Sequence, residues 1–555
     1  MVLDLDARGV HWRETPTEEQ LASFEVLVIG AGMGGLAAAV QLKRAGINYT
    51  QVEKHADIGG TWWLNKYPGA RVDTPSVEYS HSFTREYVHE NYFGTREQNL
   101  EYMQWIVDTY DLRGNLEVAT EVTGMRWDDT EKVWRVRLRT PDGMRERVVN
   151  AVIASPGGLH FPKKPDFPGM ESFQGDIIHT AEWPDEYDPT GKRVAVIGSG
   201  ASGYQIIPVL SKTAEHVTLF QRTPSWMIPI PNYLDKYDKD YLWLETYIPA
   251  LRAFNRFQDA FRTGPAIAHL TEVDPNFDHP VAVNPGNQVF HDYAISMLEH
   301  KLGHRPEILE AMKPKNPPFS SRPLTVDGED SVLDVLANGQ CSLVTSGIKT
   351  FTPTGIESND GSRHEFDLVV LATGFDVEVF VSRLNMVGKN GTRIEDIWDE
   401  DGPRAYACGT MYPDMPNFWN VLGPNPAAIN GIGQLDFIEL QVCFAVNNIS
   451  ELILGRGRAI ETTYDAYRRY AEAEDEMEAR GCWRIWRSEN YSYYFNGKRS
   501  SAVIPINAYL TWEYLRDPRR TGVDLVEKYE GTDVFEKNPK AAVVRPFLGE
   551  DLVVS

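Results

Sequence analysis

Residues 25–54 read EVLVIGAGMGGLAAAVQLKRAGINYTQVEK, and this stretch decides the fold. An apolar run from Val26 to Ile29 has the length of a buried strand and meets Gly30-x-Gly32-x-x-Gly35. A helix rich in Ala and Leu follows, then a second strand from Tyr49 to Val52 that ends in Glu53. Each part has a physical task in holding a dinucleotide. Gly30 permits a tight turn, Gly32 lets backbone approach a pyrophosphate, and Gly35 lets helix and strand pack closely. The helix N-terminus offers free amides and partial positive charge. Glu53 stands where a carboxylate accepts the ribose hydroxyls.

The pattern returns at 193–223, RVAVIGSGASGYQIIPVLSKTAEHVTLFQRT, with Gly198, Gly200, Ser202 and Gly203 in the turn. This second unit ends in Gln221, Arg222 and Thr223 instead of an acid. A carboxylate there would repel a 2′-phosphate, whereas arginine pairs with one. The first site therefore suits a nucleotide with free ribose hydroxyls, and the second suits NADPH. Two later segments, VVNAVIASPGG (148–158) and FDLVVLATGFD (366–376), each run from a buried strand into a small-residue turn and each follows a β-meander. The expected fold is α/β, with two Rossmann-like dinucleotide-binding domains and a helical insertion. Residues 1–155 and 378–555 would form the first domain, 156–230 and 315–377 the second, and 231–314 the insertion.

The 555 residues carry a net charge of −24, which argues against a broad nucleic-acid surface. Cys341, Cys408, Cys443 and Cys482 form no CxxC pair, so reduced thiols in a cytoplasmic protein are expected. The first residues are acidic and show no apolar signal-peptide core, and the longest apolar run is too short to span a bilayer. His269, His279 and His291 lack metal-ligand spacing, and no metal is expected. The charged stretch 464–480 reads as a solvated helix.

Chemistry concentrates after Glu53, in DIGGTWWLNKYPGARVDTPSVEYSHSF. Gly59 and Gly60 bring backbone close to a ligand, and Trp62, Trp63 and Tyr67 can wall an aromatic ring system. Arg71 and Asp73 fall on one side of an extended chain. Later, NVLGPNPAAINGIGQLDFIELQ starts a helix after Gly433, whose N-terminus would face the pyrimidine edge of a flavin.

One stretch remains. Phe173-x-Gly175-x-x-x-His179-x-x-x-Trp183-Pro184 resembles the fingerprint of the type I Baeyer–Villiger monooxygenases, and it lies between two GxGxxG motifs as it does in that family. GGTWW, YPGARVD, FQRTP and LATGF resemble the family's segments too, so the likeness covers about residues 20 to 515. The resemblance implies FAD and NADPH as cofactors, with the fingerprint on the linker between their domains. NADPH reduces FAD, dioxygen adds to give a C4a-peroxyflavin, and one oxygen enters beside a ketone carbonyl to give an ester or lactone. It implies Arg322 as the cation that stabilises the oxygen adduct, Asp73 as its orienting partner, and Arg71 alongside. Lys54, Gly60, Thr61, Trp62, Asp73, Tyr79 and Val122 join the FAD contacts, and Tyr493 takes the place of the family's tail tryptophan over the nicotinamide ribose. Where the family often has Lys before the active Arg, this chain has Ser321, which throws phosphate recognition onto Arg222 and Thr223. The expected partners are a small-molecule ketone and O2, with no nucleic acid and no membrane, in a monomer or small homo-oligomer. The rival readings are an N- or S-oxidising flavin monooxygenase and a non-catalytic flavoprotein redox sensor.

Overall fold

A computed structural model describes residues 12, 14–377, 381–398, 402–427, 432–484, 499, 503, 505–506, 508–516 and 524–526. Its first five-stranded sheet is parallel throughout, in the spatial order Phe418–Asn420, Ala151–Ala154, Val26–Ile29, Tyr49–Val52, Leu116–Glu117. Val26 pairs with both Tyr49 and Ala151, so the GxGxxG strand sits in the middle. It is buried at every residue, as a parallel strand covered on both faces must be. The helix Met33–Arg44 is buried from Met33 to Leu42 because Gly and Ala let it lie flat between the sheet and the long helix Gln434–Ile453.

The second sheet repeats the plan in the order Cys341–Val344, His216–Phe220, Arg193–Ile197, Leu368–Leu371, Asp176–His179. The two late strands foreseen in the sequence thus flank their GxGxxG strands. The expected meanders are present as the antiparallel strands Glu121–Asp128, Val133–Thr140 and Gly143–Val149, and as Ile348–Thr352, Gly355–Ser358 and Arg363–Glu365. Between 231 and 314 lie the helices Lys239–Tyr247, Pro249–Thr271, Pro285–Leu302 and Pro306–Met312. Among the described residues no helix is long and apolar enough to cross a membrane.

Two sequence readings change. The fingerprint is more than a linker: Asp176–His179 is an edge strand of the second sheet. A side chain at Gly175 would come within 2.6 Å of the Asp367 carbonyl, so only glycine lets the chain enter this pairing. The helix Tyr464–Glu478 is not a solvated face. Ala466, Tyr467, Tyr470, Ala473, Glu474 and Glu478 are buried, an i, i+3, i+4 stripe hidden in a charged sequence.

Candidate active site

The first cradle is built by close backbone packing. Gly30 has φ 95°, and a Cβ there would overlap the carbonyl oxygen of Ser155 in the late strand's turn. A Cβ at Gly35 would overlap the Gly30 carbonyl in the same way. Gly32 caps the helix Met33–Arg44, and across from it Gly60 adopts φ 51°, with its would-be Cβ 3.0 Å from Gly32 Cα. The two glycines let the helix N-terminus and the turn that starts Thr61–Leu64 approach each other closely. Glu53 ends the second strand, 5 % exposed, and accepts hydrogen bonds from the amides of Ala31 (2.8 Å) and His55 (2.9 Å). Burial raises its pKa above the usual carboxylate value. A free helix N-terminus after a glycine turn, with a desolvated carboxylate at the strand end, fits a dinucleotide with free ribose hydroxyls. Lys54 lies beside Glu53 with its ammonium 5.1 Å from the Phe161 ring centroid, and burial lowers its pKa. Val122 is buried in the meander strand near this end.

The second cradle has the same backbone and a different strand end. Gly198 has φ 117° against the Ala372 carbonyl, and Gly203 packs on Gly198. Gly200 caps the helix Ala201–Leu210, whose first turn holds Ser202, and a Cβ on Gly200 meets nothing within 4 Å. That open N-terminus fits a pyrophosphate. Gln221 turns inward: its Oε1 accepts from Tyr204 (2.9 Å) and its Nε2 donates to the Ala311 carbonyl (3.1 Å). Arg222 is exposed and Thr223 half-buried. The Thr223 carbonyl accepts from Ser199 Oγ at 2.7 Å.

Between the cradles, Arg322 forms an ion pair with Asp73 across 249 residues of sequence. An aromatic wall stands beside it. Trp62 Nε1 donates to the Tyr79 hydroxyl at 3.1 Å, and the rings meet edge-on at 5.9 Å. Burial pushes the Tyr67 and Tyr79 hydroxyls up to about 12, and both feel the charges of Asp73 and Arg322. These hydroxyls are therefore donors at neutral pH, not bases. Arg71 does not join the pair. Its guanidinium donates to the Tyr233 carbonyl and lies 5.3 Å from the Tyr233 ring centroid. Extended spacing put Arg71 and Asp73 on one side, but Tyr233, arriving from a distant segment, draws the arginine away. Tyr493 lies outside the described residues.

The fingerprint ties the second sheet to its own late turn. His179 is 2 % exposed; its Nδ1 accepts from the Ala181 amide (3.1 Å), so Nε2 carries the proton it gives to the Gly374 carbonyl (3.2 Å). Burial lowers its pKa, which keeps this neutral tautomer. Trp183 packs edge-on against Tyr187. The sequence did not expose Gln205, on the second cradle's helix. It accepts from Tyr67 (2.7 Å) and donates to the Arg71 carbonyl (3.1 Å) and the Tyr233 hydroxyl (2.8 Å), fastening that helix to the YPGAR segment. Nor did it show that His279, His291 and Asp292 come within 4.8 Å of one another. His279 Nδ1 already accepts from the amides of Val281 and Ala282, which leaves the proton on Nε2, unlike a metal-binding imidazole.

Two nucleotide cradles of one design, with an arginine–carboxylate pair and an aromatic wall nearby, fit an oxidoreductase that uses two dinucleotides. Comparison with known proteins narrows the class. Residues 23–249 match the family model described as flavin-binding monooxygenase-like. A Baeyer-Villiger monooxygenase of Pseudooceanicola batsensis is 31% identical over 80% of this chain and 85% of its own. An uncharacterized monooxygenase of Sinorhizobium fredii is 30% identical over 94% of this chain and 78% of its own. Among solved structures, an oxidized steroid monooxygenase bound to NADP aligns with TM-score 0.76 at 26% identity, covering 90% of this chain and 99% of that one. The OTEMO complex with FAD and NADP aligns with TM-score 0.75 at 25% identity, covering 92% and 100%. The chain belongs to the Baeyer–Villiger monooxygenase family.

Proposed function

We propose that this protein is an NADPH-dependent Baeyer–Villiger monooxygenase that holds FAD in the first cradle and NADPH in the second, and that Arg322 with Asp73 serves the oxygen-transfer step. We place the FAD domain at 1–155 and 378–555, the NADP domain at 156–230 and 315–377, and a helical insertion at 231–314. The overall reaction takes a ketone, O2, NADPH and a proton to an ester or lactone, NADP+ and water. When bound, the flavin supplies the electrons taken from NADPH and the site at which O2 is activated.

The protein's own groups do the rest. Amides at Gly32 and Gly200 would take the two pyrophosphates, and Glu53 the ribose hydroxyls. Arg222 and Thr223 would take the 2′-phosphate. Arg322 carries a permanent positive charge, so it stabilises negative charge developing on oxygen without giving up a proton. Asp73 holds that guanidinium in place. Trp62, Tyr67 and Tyr79 would wall off the flavin side and exclude water, which would keep the oxygen chemistry the flavin supplies coupled to the ketone. Arg71, turned to Tyr233, would position the segment that carries Asp73.

The observation that carries this reading is the Arg322–Asp73 pair, which joins the two cradles at one point. The test is Arg322→Ala, assayed for NADPH oxidation, ester formation and hydrogen peroxide. Flavin binding should persist, with ester formation lost. Retained ester formation would remove Arg322 from the mechanism. Ketone-independent NADPH oxidation with no oxygenated product from the wild type, across cyclic, linear and aryl ketones, would favour the redox-sensor reading.

A further inference from the structure

Beneath the first cradle lies a group of buried charges that the proposed reaction does not use. His81 is 2 % exposed and its ring stacks on Phe83, centroids 4.8 Å apart. Its Nδ1 lies 3.1 Å from Glu439 Oε1, and its Nε2 lies 3.2 Å from the carbonyl oxygen of Met33. Met33 is the first residue of the helix that Gly32 caps. Glu439 also accepts from the amide of Ser82 at 2.7 Å and from the Ser82 hydroxyl.

Counting donors gives the result. A carbonyl oxygen only accepts. A neutral imidazole has one N–H and one lone pair, so it can satisfy Met33 or an ionised Glu439, but not both. Two acceptors facing the two ring nitrogens require one more proton than a neutral histidine and an ionised glutamate hold. Glu439 accepts from Ser82 on both of its oxygens, Oε1 from the amide and Oε2 from the hydroxyl, an arrangement that favours the ionised carboxylate and leaves the extra proton to the ring.

We propose that His81 is a buried imidazolium, paired with Glu439, and that this charge positions and strengthens the hold of the first cradle on the dianionic pyrophosphate of FAD. The proposal rests on the reading of that cradle as the FAD site. The surroundings support it. Arg256, on the insertion helix Pro249–Thr271, pairs with Asp436 at 3.0 Å and donates to the Ser80 carbonyl. Arg252 on the same helix lies 3.9 Å from Glu245 and donates to the Tyr87 carbonyl. Tyr102 accepts from the His81 amide at 2.6 Å. Asp436, Glu439 and Glu245, with Glu78 beside Asp436 at Gly433, outnumber the two arginines, so a positive charge on His81 reduces the negative excess there. Without the extra proton the negative excess beneath the pyrophosphate site would be larger by one charge. His81 is a positioning residue. It reaches the cofactor through the Met33 carbonyl and through the helix Gln434–Ile453, which carries Asp436 and Glu439.

The test has two arms on the full-length holoenzyme. In the first, nitrogen NMR of histidine-labelled protein reads the protonation of the His81 ring, its signal assigned among the 13 histidines by its loss in His81→Gln. Both ring nitrogens should be protonated at neutral pH; a neutral-tautomer pattern overturns the proposal whether or not FAD is bound. In the second, FAD affinity is measured by reconstituting the apoprotein. His81→Gln should weaken FAD binding by about tenfold, the scale of one charge acting over several ångströms in partly screened protein. Glu439→Gln should tighten it, and the double substitution should return near wild type. Equal-direction losses in both single variants would show a merely structural pair and overturn the electrostatic role. A wild type that never binds FAD would instead sink the proposed function and leave the NMR result standing.

Discussion

The two cradles share a backbone and differ at one strand end. In both, a glycine at high positive φ presses on a carbonyl of the late strand's turn: Gly30 on Ser155, Gly198 on Ala372. In both, the third glycine packs on the first, and the middle glycine caps a helix. The residue after the second strand then departs. Glu53 is buried and held by two amides, whereas Gln221 is buried in its own side-chain network and Arg222 stands exposed. On the proposed reading, the turn would hold a pyrophosphate and the strand end would choose which ribose accompanies it.

The largest effect should come from filling a turn. Gly30→Ala adds a Cβ where the Ser155 carbonyl already sits, at a φ that alanine rarely adopts. Purified Gly30→Ala should be colourless, with no flavin absorbance. Gly198→Ala meets Ala372 in the same way but in the other cradle. It should stay yellow and lose reduction by NADPH. If both variants lose flavin, the cradles are not separable and the assignment of one nucleotide to each is wrong.

A smaller effect should follow from Glu53. Burial raises its folded-state pKa, so in the apoprotein the carboxyl adds stability below its ordinary pKa and loses that contribution as pH rises through the raised value. On the proposed reading ribose hydroxyls would donate to the ionised form, so FAD binding would release a proton. FAD affinity should therefore rise with pH through this window, above the model-compound value of 4.5. Glu53→Gln should flatten that dependence and weaken FAD by roughly 10- to 100-fold, the scale of about 1.5–3 kcal/mol for charged hydrogen bonds. Titration of apoprotein with FAD from acid to neutral pH decides it; an unchanged slope in Glu53→Gln would separate Glu53 from the ribose.

Much of this was legible because dinucleotide cradles are local. Strand, glycines, helix and strand end lie within about thirty residues, and small-residue turns such as ASPGG and LATGF mark where a second backbone must approach. The Arg322–Asp73 pair was legible only through the family resemblance, since its partners are 249 residues apart. What stayed hidden depends on long-range packing. Arg71 leaves Asp73 because Tyr233 arrives from elsewhere, and 464–480 reads as solvated until its tyrosine stripe finds a core. His81, Arg252 and Arg256 drew no attention in the sequence, because no spacing in the chain reports that the helix Pro249–Thr271 drives two guanidinium groups beneath the first cradle.

The smallest expected effect falls on Arg222, and it bears most directly on the strand-end rule. Gln221 and Ser321 are neutral and already hydrogen-bonded within the protein, Ser321 accepting from Asn316 at 3.1 Å, so neither brings positive charge to a 2′-phosphate. Arg222 is exposed on the strand end, and an exposed arginine–phosphate contact is partly screened by water and salt. Its loss should cost about 1–2 kcal/mol, or roughly 5- to 30-fold in KM for NADPH, with KM for NADH unchanged. The ratio of the two KM values isolates the 2′-phosphate, because every other contact is common to both coenzymes. The effect should shrink at high ionic strength. A parallel rise for NADH would mean that Arg222 holds the strand end in shape, and that the coenzyme preference comes from a different part of the second cradle.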